Sequence, residues 1–236
     1  MTTFLCIAGH GKNRSNGYFD TGAGGFMTKG EHKFYVEDFF PAMKRHVHPD
    51  DKFVFFSDYN VYSANNIVSL AKSYGKDTVV TEFHFDATGN NTSSGGHVII
   101  HRDFTPDKVD LAIRDVIAKH IGLAYPNHKG HKGISGRSDL RNVNATANGG
   151  VNYRLPELFF GTNKRDVEKA VANLDEYAKD MVKAIAGRVK TEVVEDKFGS
   201  MEFYRVQVGA YENKANAEKK AKELRELGQD TYIVKT

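Results

Sequence analysis

The sequence predicts an α/β protein with a mostly parallel central sheet flanked by helices, followed by a small separate α+β unit at the C-terminus. Three observations lead there. Short apolar runs of strand length alternate with stretches of helical period, the pattern of strands joined by crossover helices. Periodicity lapses over the charged stretch 191–200 and restarts as a second, shorter pattern. The chain has 236 residues, 40% hydrophobic and 27% charged, which suits one well-packed domain plus a small appendage.

Residues 3–8 read as a buried strand stopping at Gly9-His10-Gly11, and a polar, glycine-rich loop follows through Gly25. Residues 31–47 read as a helix carrying Phe34, Phe39, Phe40, Met43 and Val47, which Pro41 kinks or divides. Residues 52–57 form a second strand, 62–74 a second helix, and 78–83 a third strand ending at His84. Residues 97–101 are a fourth strand. Thr105-Pro106-Asp107 then starts a helix to about His120, as a cap followed by proline at the first helical position.

Residues 122–150 read as polar and loop-rich. A further strand precedes or includes Glu157–Phe160, and Asn163 caps one long helix striped with Val167, Val171, Leu174, Ala178, Met181 and Ile185. Beyond the linker, Tyr204, Val206 and Val208 alternate with Arg205 and Gln207 as on a half-buried strand. Ala217, Ala221 and Leu224 mark a helix over 214–227 stopped by Gly228, and Thr231–Val234 is a closing strand. The expected division is 1–190, linker 191–200, and 201–236.

The net charge is +3, with both signs interspersed and no basic stripe, which argues against nucleic acid as a partner. The N-terminal apolar run is too short for a secretion signal, and no stretch approaches a membrane span, so the expectation is a protein made in the cytoplasm. The single Cys6 lies in an apolar run and reads as a buried small hydrophobe.

Catalytic zinc needs three protein ligands and an open position, and sites in open α/β sheets lie at the carboxyl ends of strands. His10 and His84 both stand at such ends, and Glu31 opens the helix after the glycine-rich loop, which could fold it back toward His10. Glu37, six residues later on the same helix, is its rival.

Four motifs in order extend this. Ala8-Gly9-His10-Gly11 with Asp20-Thr21-Gly22-Ala23 comes first, then Gly30-Glu31, then Phe83-His84-Phe85-Asp86-Ala87 with Gly95-Gly96. Pro156-Glu157-Leu158-Phe159-Phe160 with Asn163 and Asp166 closes the series. From about residue 3 to 188 this resembles the type 3 zinc-dependent N-acetylmuramoyl-L-alanine amidases. The resemblance implies one zinc ion held by His10, Glu31 and His84, with Glu157 as the catalytic carboxylate. It also implies hydrolysis of the amide between N-acetylmuramic acid and L-alanine in peptidoglycan, causing wall lysis. The chain departs from the family pattern at Ala8, at Phe159 and at Asp86, which stands where asparagine is usual and could tune the metal or bind substrate. Arg137, in a segment similar to one preceding the family's last strand, could pair a carboxylate of the peptide stem.

His97 and His101 share one strand face and read as solvated or packed, while His128 and His131 lie on a flexible basic loop near the cleft. The run Phe203 to Tyr211, with Asn216-Ala217-Glu218 and Leu224 to Gly228, resembles one repeat of a SPOR peptidoglycan-binding module. That module normally has two repeats, so pairing or self-association with another copy is expected, which an internal start at Met201 could supply. A wall substrate with no leader is similar to the situation of phage endolysins. The alternatives are a zinc peptidase cutting within the stem peptide and a non-catalytic wall-binding protein.

Overall fold

A computed structural model describes residues 2–190, 209–228, 231 and 233. Two compact units, Met1–Glu192 and Val193–Thr236, are taken separately. The expected linker and the expected strand before Gly209 lie outside the described residues, as does most of the closing strand.

In the first unit the strands are β1 (Thr3–Ala8), β2 (Gly11–Lys12), β3 (Phe19–Asp20), β4 (Lys52–Phe56), β5 (Thr78–Asp86), β6 (His97–His101), β7 (Asn127–His128), β8 (His131–Lys132), β9 (Ile134–Arg137) and β10 (Asn152–Phe160). The helices are α1 (Glu31–Lys33), α2 (Phe40–His46), α3 (Val61–Ala64), α4 (Ile67–Ser73), α5 (Lys108–His120), α6 (Arg141–Asn148), α7 (Lys164–Ala172) and α8 (Leu174–Ala186). Six strands form the central sheet in the order β4-β1-β5-β10-β6-β9. The first four run parallel, and β6 and β9 run the other way. Both faces are covered. Phe83, Phe85 and Phe159 pack on one side with Phe34, Phe39, Met181 and Tyr177, and Leu5, Ile7, Val80, Leu155 and Ile99 on the other with Ile67 and Val143.

Several elements differ from expectation. The helical segment is divided just before Pro41: a π-helical stretch, Phe34–Phe39, joins α1 to α2 and places Pro41 in the first turn of α2. There a missing N–H is tolerated, because first-turn amides have no helical partner. The second helix splits into α3 and α4 because Asn65 turns left-handed, at φ 50°. The N-cap of α5 is Asp107 rather than Thr105: its carboxylate accepts from Val109 and Asp110 N–H, and Asp110 reciprocates.

The long terminal helix is two helices, because Asn173 leaves helical geometry and caps α8. The break rotates the stripe, so Val171 is exposed while Val167 and Met181 stay buried. The stretch 122–150, expected as loop, contains β9 and α6. Its polar residues are consumed by tertiary contacts that no periodicity reveals.

In the second unit α9 (Lys214–Glu226) is capped by the Asn213 side chain, which accepts from Ala215 N–H, and Gly228 follows it at φ 77°. Among the described residues no helix is long and apolar enough to cross a membrane.

Two residues fix the loop that leads into β6. Asn163 caps α7 with its carbonyl and donates its amide to Ser93 O at 2.9 Å. Asp166, fully buried, accepts from Ser94 Oγ at 2.7 Å, Gly95 N–H at 2.8 Å and Phe160 N–H at 3.3 Å. It thereby ties the loop to the end of β10. Asp166→Ala would leave buried donors without partners, and we expect a stability loss of about 3 kcal/mol, read as an earlier urea midpoint for the first unit.

Candidate metal centre and active site

The centre is built where three chain segments meet at the carboxyl edge of the sheet. β1 ends and Gly9 N–H still pairs with Phe83 O at 3.0 Å. The chain then turns at His10, whose φ of 62° is a conformation that L-residues rarely hold. That turn is braced by β2 and β3, which pair Gly11 with Asp20. Asp20 Oδ2 sits 2.8 Å from His10 Nδ1, and its other oxygen accepts from Gly22 N–H at 3.0 Å.

Glu31 opens α1, where its carboxylate is almost wholly buried, at 1% exposure. It accepts from Ala23 N–H at 2.8 Å and from Phe85 N–H at 3.2 Å. His10 Nε2 stands 3.3 Å from Glu31 Oε2, and His84 Nδ1 stands 2.8 Å from Glu31 Oε1. One atom from each of His10, Glu31 and His84 lies within 4.8 Å of the others. Glu37, the rival carboxylate, instead faces Lys29 at 3.6 Å and lies outside this group.

His84 lies within β5, which β10 pairing extends to Asp86. Its Nε2 faces Glu82 Oε1 at 3.1 Å. Glu82 is buried and held by Tyr153 Oη at 2.7 Å and by Asn142 Nδ2 at 2.9 and 3.1 Å. Each histidine thus has one nitrogen on a carboxylate and the other aimed at Glu31. Such partners fix the tautomer of a metal-binding histidine.

Two nitrogens and a carboxylate oxygen, sealed on one side and open on the other, form a donor set that fits zinc. Two glycines make room for it. A Cβ on Gly9 would come within 2.2 Å of the His84 ring, and one on Gly22, at φ +73°, within 2.6 Å of His10 and 2.7 Å of Glu31.

The electrostatics follow from this packing. Burial alone would raise the Glu31 carboxyl, but His84 and His10 outweigh it and pull it down to about 2. Burial alone would lower both histidines, and the Glu31 carboxylate outweighs that too, raising His10 and raising His84 well above its ordinary value.

Glu157 sits one strand over, in register with His84 on β5 and with His97 on β6. Its Oε2 is buried without a hydrogen-bond partner. Burial first, then the Asp86, Glu31 and Glu82 carboxylates, push its carboxyl well up, against the pull of His84. Asp86 is pushed up to about 6, chiefly by burial and then by Glu31. Arg137 pairs with Asp139 through Nε and Nη2, at 2.7 and 2.6 Å. His128 contacts Phe104 O at 2.9 Å and does not join the centre.

The residues that sequence reasoning passed over are Glu82, Asn142 and Tyr153, while His97, read as solvated or packed, is buried. Glu82 had a usable signal, since residues two apart on a strand share a face. Asn142 and Tyr153 reach the centre only through tertiary packing.

Comparison with known proteins places these features. Residues 5–191 match the family described as N-acetylmuramoyl-L-alanine amidase, and residues 200–236 match the SPOR domain. The probable autolysin PH of Staphylococcus aureus is 41% identical over 131 residues, 56% of this chain. The match spans only 24% of that relative's length. Among solved structures, the catalytic domain of the CD27L endolysin targeting Clostridia difficile is similar at TM-score 0.58 and 19% identity, over 80% of this chain and 98% of that one. The N-acetylmuramyl-L-alanine amidase Ami1 of Mycobacterium smegmatis is similar at TM-score 0.56 and 20% identity, over 79% and 95% respectively. At these identities the two structures show a shared fold.

The tight approach at Gly9 yields a direct test. Gly9→Ala should displace the His84 ring and cost about 1–3 kcal/mol, as overpacking does. A crystal structure and a denaturation curve of the variant check both effects.

Proposed function

The chain belongs to the N-acetylmuramoyl-L-alanine amidase family, and on that premise we propose that it hydrolyses the amide between the lactyl group of N-acetylmuramic acid and L-alanine, with one zinc ion held by His10, Glu31 and His84. The observation that carries this reading is the convergence of those three side chains beside Glu157, whose Oε2 is sealed without a hydrogen-bond partner.

Bound zinc would supply Lewis acidity, polarising the amide carbonyl and acidifying the attacking water. The chain's own residues do the rest. Asp20 and Glu82 orient the two imidazoles so that His10 Nε2 and His84 Nδ1 face the centre. Glu157 takes the proton of the attacking water and delivers it to the leaving amine. A carboxyl raised by burial is a stronger base once ionised, which suits that transfer. The 200–236 segment, as a SPOR match, would hold the enzyme on peptidoglycan. Together these support wall lysis.

The test is clearing of a cell-wall suspension by the pure protein, with the newly freed amino group identified. A free L-alanine amine marks the amidase; a cut inside the stem marks a peptidase; binding without clearing marks a non-catalytic wall protein. A chelator should abolish clearing and added zinc restore it. Glu157→Gln should lower turnover about 10²- to 10⁴-fold with zinc content unchanged, whereas Glu31→Ala should lose the zinc. Activity surviving both chelator and Glu157→Gln would overturn the mechanism.

Zinc binding should also be pH-dependent. His10 and His84 have raised pKa values in the metal-free chain, that of His84 well above the ordinary one, so they hold protons to higher pH than a free imidazole does. Zinc must displace those protons, and its affinity should fall as pH falls. Calorimetry in buffers of different ionisation enthalpy would register the protons released.

A further inference from the structure

One cluster in the same cleft is left without partners. His97 opens β6 opposite Glu157, on the side away from His84. Its side chain is only 9% exposed. Its Nδ1 is sealed from solvent without a hydrogen bond, with Asp86 Oδ2 3.7 Å away. Its Nε2 makes no hydrogen bond among the described residues and is not sealed. Glu157 Oε2, across the strand pair, is also buried and unpartnered.

Burial, then the charge of Arg137, hold the His97 ring down to about 4, so at neutral pH it carries one proton. With that proton on Nδ1, the atom that faces Asp86 Oδ2, Nε2 is an acceptor. Such an atom calls for a donor, and the reaction proposed above supplies one. Hydrolysis breaks the carbon–nitrogen bond and forms a carbon–oxygen bond from water. The nitrogen takes up protons, so that R–CO–NH–R′ and water become R–COO⁻ and R′–NH3⁺. The leaving nitrogen therefore begins as an N–H donor and ends as an ammonium. On that reading, an amide whose carbonyl lies on the His10–Glu31–His84 side of Glu157 would turn its nitrogen toward His97, which is in register with Glu157 on the opposite strand.

We propose that His97, buried beside Glu157 with Nδ1 facing Asp86, accepts a hydrogen bond from the leaving nitrogen of the scissile amide at Nε2. This rests on the hydrolase reading above.

Glutamine places its amide near the Nε2 position and asparagine near Nδ1, which makes the test specific. In the zinc-loaded full chain, His97→Ala and His97→Asn should lower kcat about tenfold or more with little change in KM. His97→Gln should stay within about threefold of the parent. A binding arm uses L-alanyl-D-isoglutamine, whose free α-ammonium mimics the product, followed by calorimetry. The parent should bind it and His97→Ala should weaken it about tenfold. Glutamine no better than asparagine, equal peptide binding by parent and His97→Ala, or no binding by the parent would each overturn the proposal. If the parent released no L-alanine amine, the hydrolase reading would fall, while the peptide-binding arm would still decide the role of His97.

Discussion

Glu31 is the point on which the site depends. Its carboxylate is buried, yet it is met from three segments: the Ala23 N–H of the glycine-rich loop, the His10 imidazole after β1, and both the Phe85 N–H and the His84 imidazole of β5. A buried carboxylate left unpaired is costly, so the glycine-rich loop, the head of α1 and the ends of β1 and β5 can only close around it together. The loop that looks irregular in sequence is constrained by this single group. At Gly22 no side chain fits between His10 and Glu31.

Around that centre the strands impose a row. Sheet register sets His84, Glu157 and His97 side by side on β5, β10 and β6. Each is flanked by different chemistry: Glu82 behind His84, a sealed oxygen at Glu157, and Asp86 near His97. The antiparallel insertion of β6 beside β10 brings the start of one strand to the finishing edge of its neighbours. Without it, His97 would lie at the far end of the sheet.

Asn163 and Asp166 show how a motif can be read correctly and for an incomplete reason. Both belong to the ordered series that suggested the family, yet they hold the loop before β6 rather than touch the centre. Their contribution to chemistry is the position of Gly95, Gly96 and hence His97.

Much of this was legible in the residues. Strand-length apolar runs and the ordered motifs determined the α/β class, the mainly parallel sheet and the family. They did so because burial patterns and chemistry-bearing residues recur at fixed places along the chain. The breaks at Asn65 and Asn173, the π-helical stretch before Pro41 and the presence of α6 were not legible, since local hydrogen bonds and packing choose among conformations of similar propensity. Nor were the partners of the histidines. Glu82, Asn142 and Tyr153 meet only when β5, α6 and β10 pack together, and the unpartnered pairing of His97 with Glu157 exists only through strand register. Sequence determined which groups could do the chemistry; tertiary structure decided which carboxylate each imidazole faces, because those contacts join residues far apart along the chain.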